Sequence, residues 1–174
     1  MQTITNKPIK FKYMNKINQL LNQKFNRSNM TAFILALVLT VVSSFSFANG
    51  NDDITKQVRA SFKQDFKNAQ LISSEVHSKF TKLTFKMNDI VLFAFYADNG
   101  QLLAVVRNIL SSQLPTDLMV DLKKSYSSYW ITELFELNGD GQNCYYVSLE
   151  NADNKITLRS NGDEWEVYQQ TIKK

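Results

Sequence analysis

The sequence predicts an α+β fold: a tandem repeat of one helix packed on a four-stranded antiparallel sheet. Two segments carry apolar residues at helical spacing, and each is followed by β-rich runs that turn residues separate. The two halves also correspond, with Val58 matching Leu118 and Asn99-Gly100 matching Asn161-Gly162. A helix covers only one face of such a sheet, and duplication supplies cover for the other.

The first part of the chain has the pattern of a signal peptide with a basic N-terminal extension. A basic region at residues 16–27 precedes an apolar run at residues 32–42. Ser46 and Ala48 then fit the small-residue rule for cleavage before Asn49. We expect export to the periplasm or the outside of the cell, with contact to a membrane only through this segment. Its retention as an anchor is the alternative.

The predicted domains are therefore residues 1–48, the signal segment, and residues 49–174, one mature domain made of two repeats at about 53–109 and 115–172. Charge divides at the same point. Six of the 20 Lys and Arg residues and none of the 16 Asp and Glu residues lie in the first part, so the rest is slightly acidic. The basic balance of the whole chain therefore gives no support to nucleic-acid binding.

The first repeat begins with a helix predicted over residues 53–68. Val58, Phe62 and Phe66 form its apolar stripe, and Asp52 or Asp53 could cap its start. Four strands are expected to follow, at residues 69–77, 79–87, 90–97 and 101–108.

The last two of these strands form the clearest hairpin in the sequence. Asn99-Gly100 predicts a tight turn with positive φ at both central positions. The arms are apolar at every position over residues 90–97 and 102–106, so both of their faces need cover. This leaves two alternatives: packing against protein, or a face offered to a partner or an apolar ligand.

The second repeat begins with a helix that Thr116 or Asp117 could cap. Leu118, Leu122 and Tyr126 form its apolar stripe. A loop is predicted at residues 138–141, and strands are expected at residues 130–137, 143–150, 155–160 and 164–171.

The ordered set of features resembles a PepSY-like or β-lactamase-inhibitor-like family of small exported bacterial proteins. It comprises the signal segment, the first helix stripe, the Asn99-Gly100 hairpin, and the step from Leu114-Pro115 into a helix that ends near Tyr126. The Tyr129-Trp130 exit into the next strand completes it. The resemblance implies tandem helix-and-sheet units and a binding or inhibitory role in the cell envelope. It carries no catalytic residues over.

No catalytic, metal or cofactor site is expected, and we predict that the protein is not an enzyme. His77 is the only histidine and Cys144 the only cysteine, and neither belongs to a recognisable catalytic or zinc motif. No glycine-rich phosphate loop is present. The predicted function is an exported binding protein, an inhibitor or modulator of an envelope or secreted protein. A carrier or sensor of a small apolar ligand is the alternative.

Aromatic residues crowd the second half and supply the candidate binding residues. Tyr145 and Tyr146 are adjacent in a strand, so they point to opposite faces of the sheet. Trp130, Tyr145 and Tyr168 are the predicted anchors for a protein or peptide partner, because binding surfaces are enriched in such side chains. Packing inside the chain and a homodimer remain open alternatives.

Overall fold

The computed structural model describes residues 54–139 and 142–173, without the side chain of Gln142. The predicted leader and the two capping candidates Asp52 and Asp53 lie outside these residues. The elements are α1 (Lys56–Asp65), β1 (Gln70–Val76), β2 (Thr81–Met87), β3 (Ile90–Tyr96), β4 (Leu102–Asn108), α2 (Thr116–Ser125), β5 (Trp130–Gly139), β6 (Gln142–Glu150), β7 (Asn154–Ser160) and β8 (Glu166–Ile172).

All eight strands form one antiparallel sheet in chain order, β1 to β8. The predicted tandem repeat of one helix packed on a four-stranded sheet is therefore wrong as a fold class. The sheet does not end after β4, because β4 pairs with β5 across the expected boundary. An edge strand has unpaired backbone groups, and here the strand after α2 satisfies those of β4.

The junction between β4 and β5 is short but strongly defined. Val105 to Asn108 pair with Asn138 to Phe135, and the ladder is extended by Ile109 N, which donates to Leu134 O at 3.0 Å. On the helix side, Arg107 Nε donates to a Glu136 carboxylate that is only 4% exposed. This ion pair therefore joins the two halves inside a largely desolvated region.

Helix α1 begins one turn later than its sequence pattern indicated. Thr55, not Asp52 or Asp53, occupies the N-cap position, and its side chain accepts a hydrogen bond from Val58 N at 3.2 Å. Val58 and Phe62 are buried against the sheet. At the other end, Tyr96 Oη donates to Asp65 Oδ2 at 2.8 Å and ties α1 to β3.

Helix α2 is placed by Pro115 at its N-cap position, and neither Thr116 nor Asp117 acts as the cap. Leu118 and Leu122 are buried, as their spacing predicts. Trp165 Nε1 donates to Leu118 O at 2.9 Å, which fastens the loop before β8 to the helix.

The sequence predicted the positions of the turns better than their types. The loop at Asp98 to Gly100 has three residues, with positive φ (82°) only at Gly100, so the predicted pair of positive φ values at Asn99-Gly100 is wrong. A three-residue hairpin loop needs a left-handed residue only at its last position. The two-residue turn with two positive φ values is Asn88-Asp89, between β2 and β3.

The predicted loop at residues 138–141 is shorter than expected. Asn138 and Gly139 belong to β5 and pair with Asn143 and Gln142. The ladder therefore continues as far as the pair of Gly139 and Gln142, and residues 140 and 141 lie outside the described residues.

Both helices lie on the same face of the sheet. By register, Val105 on β4 shares a face with Asn138 on β5, and Leu134 follows on that face four residues away. Val105 packs in the cluster under α1, and Leu134 in the cluster under α2. The alternate residues of the same strands form a third cluster on the opposite face.

Replacing Gly100 by alanine will destabilise the protein more than the same change at Gly162. Both glycines have positive φ, 82° and 118°. A Cβ at Gly100 would lie 2.7 Å from Ser61 Oγ and 3.0 Å from Gln57 O of α1, whereas a Cβ at Gly162 meets nothing within 4 Å. We expect losses of roughly 2–4 and 1–2 kcal/mol respectively in urea unfolding. Equal losses would contradict a close contact between the hairpin and α1.

Replacing Arg107 by methionine will cost about 3–5 kcal/mol of stability, because it leaves the buried Glu136 carboxylate without its partner. The double variant Arg107→Met/Glu136→Leu should recover most of that loss. Lys86→Met, which breaks an exposed pair with Asp89, is the control and should cost less than about 1 kcal/mol. If the stability losses of Arg107→Met and Glu136→Leu simply add in the double variant, the two side chains are not coupled and the prediction is wrong.

Candidate functional site

The face of the sheet opposite α1 and α2 is the candidate binding surface, and we call it the helix-free face. Among the described residues, neither helix packs on it. Its side chains run from β2 to β8, with an apolar centre and charged or amphipathic flanks. They include Lys82, Phe93, Phe95, Ala104, Val106, Phe135, Leu137, Cys144, Tyr146, Arg159, Tyr168 and Trp130.

A row of aromatic rings occupies the centre of this face. Phe135 and Tyr146 stack with centroids 5.2 Å apart, and Tyr168 meets the ring of Tyr146 edge-on at 5.7 Å. Phe80 and Phe95 are in contact at 5.7 Å. Such tilted, stacked and edge-on contacts are the favoured geometries of aromatic pairs. The row explains why β3 is apolar on both faces, since its other face packs under α1. This packing accounts for the two apolar faces without a bound ligand, and the carrier alternative stays a prediction.

A lysine lies at the β2 end of the row. The Lys82 side chain is 6% exposed, and its Nζ lies 2.9 Å from Glu75 Oε1 and 5.4 Å from the centroid of the Phe93 ring. His77 stacks on Phe80 at 4.5 Å and lies 3.8 Å from the same glutamate. These contacts account for the charge of Lys82, and the cluster is structural.

An arginine lies at the other end, where its surroundings differ. Arg159 on β7 stands opposite Tyr146 on β6, and its Nη2 donates weakly to Cys144 Sγ at 3.7 Å. Arg159 Nε and Tyr146 Oη are buried, and neither has a hydrogen-bond partner. Burial raises the pKa of Tyr146, so the phenol keeps its proton.

Trp130 forms an exposed corner of the helix-free face. Its side chain is 53% exposed, the largest exposure among the aromatic residues of the described chain. Lys173 Nζ lies 5.5 Å from the centroid of its ring and also binds Glu150, the cross-strand neighbour of Trp130. A large ring held in place by a cation, yet still exposed, is suited to contact a partner.

The three predicted anchors do not form one surface. Trp130 and Tyr168 lie on the helix-free face, whereas Tyr145 lies on the opposite face against the cluster under α2. Burial, and then the charge of Glu136, raise the pKa of Tyr145. The expectation that one member of the Tyr145-Tyr146 pair faces away from the helices is correct, and that member is Tyr146. Arg159, which the sequence did not single out, is the polar residue that the strand places beside it.

Other types of site have little support in the described part of the chain. No three His, Cys, Asp or Glu side chains in residues 54–139 and 142–173 are grouped closely enough to bind a metal ion. None of the described helices has the length and apolar character needed to cross a membrane. Cys144 is a free thiol and is buried.

No family model and no curated protein matches the sequence. The fold does have relatives among solved structures. A DUF2874 family protein from Bacteroides uniformis aligns over 68% of this chain and 88% of its own, with 13% identity and a TM-score of 0.60. A BLIP-like protein from Bacteroides fragilis aligns over 71% and 89%, with 15% identity and a TM-score of 0.59.

A third structure, a protein of inferred periplasmic location from Bacteroides eggerthii, aligns over 70% of this chain and 90% of its own, with 11% identity and a TM-score of 0.60. At such low identities, these likenesses show the fold alone. The β-lactamase-inhibitor-like part of the predicted resemblance is confirmed at the level of fold, and the PepSY-like part stays a prediction. The chain shares its architecture with DUF2874 and BLIP-like proteins of Bacteroides.

Replacing Lys173 by glutamine will raise the pKa of Glu150. The hydrogen bond from Lys173 is the main reason that this pKa is low, followed by the positive charges of Lys173 and Lys155. Lys155→Gln is the matched control and should give a smaller rise. The measurement is a carboxyl-detected NMR titration of Glu150. An unchanged pKa in Lys173→Gln would contradict the contact that also holds Trp130.

Proposed function

We propose that this protein is an exported, non-enzymatic binding protein that inhibits or modulates a protein of the cell envelope or a secreted protein. The partner contacts the helix-free face. The single observation that carries the proposal is the exposed Trp130 at the corner of that face, held by Lys173 beside a sheet surface that neither described helix covers.

The composition of the face supports a protein partner. Interfaces favour aromatic and arginine side chains at their centres and polar groups at their rims. Here Trp130, Tyr168 and Arg159 are accessible to different degrees, and Lys173 and Glu150 lie at the border. The aromatic row behind them gives a rigid base, and rigid anchors lose little conformational freedom on binding.

Two observations support export. The first is the pattern of the leader, in which basic residues, an apolar run and small residues follow one another. The second is the fold, which a Bacteroides protein of inferred periplasmic location and a BLIP-like protein share. A chain with one cysteine forms no internal disulfide, and a mature domain of this size is large enough to fold by its core.

Trp130→Ala will weaken binding of the partner by roughly 30-fold, the effect of losing an interface hot spot. The full chain serves as bait against envelope and secreted proteins of its source organism, and affinity is then measured for each captured protein. Val120→Ala is the matched control, because Val120 lies on α2 and is also 53% exposed.

A partner that binds the wild-type chain and Val120→Ala equally, but Trp130→Ala poorly, is the expected result. The proposal is contradicted if every captured protein binds Trp130→Ala as tightly as the wild type. It is also contradicted if Val120→Ala causes the larger loss, which would place the interface on the helix side.

A further inference from the structure

We propose that Arg159 and Tyr146 form an anchor site for a carboxylate side chain, an Asp or Glu of the protein partner. The inference depends on the proposed function, and it adds the chemistry of the residue that the partner inserts. The site lies between β6 and β7 on the helix-free face, where the two side chains are cross-strand neighbours.

The first argument is that both residues hold donors without acceptors. Tyr146 is fully buried, and its Oη has no hydrogen-bond partner, nor does the buried Nε of Arg159. Buried polar groups are almost always satisfied, and each exception calls for an explanation, of which a bound group is one. The two atoms belong to cross-strand neighbours, and one acceptor that reached both of them would satisfy both.

The second argument is charge. Four other cationic side chains in the described part of the chain, at positions 82, 86, 107 and 173, have a carboxylate within 4 Å, whereas no ion pair involves Arg159. Its cross-strand neighbour Glu166 is a carboxylate of β8 but does not reach that distance. Among the described residues, the guanidinium donates a side-chain hydrogen bond only to the Cys144 thiol, which is a weak acceptor. The charge of Glu166 acts on the guanidinium from beyond that distance, so no direct ion pair neutralises the positive charge of the site.

A carboxylate fits these groups better than a neutral acceptor does. A guanidinium presents donors in a planar fork that matches a carboxylate, and a charged pair gives a stronger hydrogen bond than a neutral one. The neighbouring walls are the rings of Phe135 and Tyr168 and the Cys144 side chain. Such apolar walls lower the local dielectric constant and strengthen the attraction.

Access to the site passes over Tyr168. This ring lies edge-on against Tyr146, on a strand whose residues are otherwise exposed, and at the position where β8 contains an extra residue against β7. Burial raises the pKa of both phenols, and the charge of Arg159 lowers both, so the cation acts on the two rings together. The proposed site therefore requires Tyr168 to move aside when the partner inserts its carboxylate.

The test uses the Nε–H resonance of Arg159 in the ¹⁵N-labelled full chain, assigned by its loss in Arg159→Lys. The probes are acetyl-Gly-Glu-Gly-amide and acetyl-Gly-Gln-Gly-amide at equal ionic strength. We expect the glutamyl peptide to move this resonance downfield and the glutaminyl peptide to leave it in place. Arg107 is an internal control, because its Nε already donates to Glu136. Tyr146→Phe should lower the affinity for the glutamyl peptide by about fivefold.

With the captured partner, Arg159→Gln should weaken binding by roughly tenfold or more, which is the scale of a lost charge-assisted hydrogen bond. Lys86→Gln, which removes another positive charge from the same face, should have little effect. Equal responses to the two peptides, or an equal response of Arg107, would overturn the site.

Two further outcomes separate this inference from the proposed function. If a partner loses its affinity for Trp130→Ala but binds Arg159→Gln as tightly as the wild type, the carboxylate anchor is overturned and the proposed function stands. A response of Arg159 to the glutamyl peptide without any Trp130-dependent partner would support the carboxylate chemistry and contradict the function. Free acetate that binds as tightly as the peptide would overturn a protein side chain as the source.

Discussion

The pairing of β4 with β5 is the constraint on which the rest of the structure depends. It fixes the register between the two halves, and register decides which side chains share a face. A slip of one residue would turn Phe135 and Leu137 towards the helices and Leu134 away from them. The same few backbone bonds therefore place α1 and α2 on one face and the aromatic row on the other.

Local structure was largely predictable from the sequence, because it depends on local spacing. The stripes at Val58 and Phe62 and at Leu118 and Leu122 indicate helices that the structure contains. The continuity of the sheet was not predictable, because an apolar pattern does not say which strand edges meet. The turn type was not predictable either. Asn99-Gly100 fits both a two-residue and a three-residue loop, and only the register of the arms selects one of them.

The candidate site was predictable in part. Alternation required one of Tyr145 and Tyr146 to face away from the helices, but choosing between them needed the position of Phe135 across the ladder. Arg159 gave no signal, because Lys155, Thr157 and Arg159 alternate along β7 like any solvent-facing row. What distinguishes it is a buried Nε without an acceptor, which is a property of three-dimensional packing. The surface that results combines an exposed ring at Trp130 with a cation held among aromatic side chains.

The sheet is a meander in which every strand pairs with its neighbour in the chain, and this has a consequence for folding and opening. Contacts between sequence neighbours close small loops, so the sheet can grow by the addition of one strand at a time. The same order leaves β8 with β7 as its only ladder partner among the described strands. Release of β8 breaks one ladder and leaves the other seven strands paired, so local opening at this edge frees Tyr168 without unfolding the core.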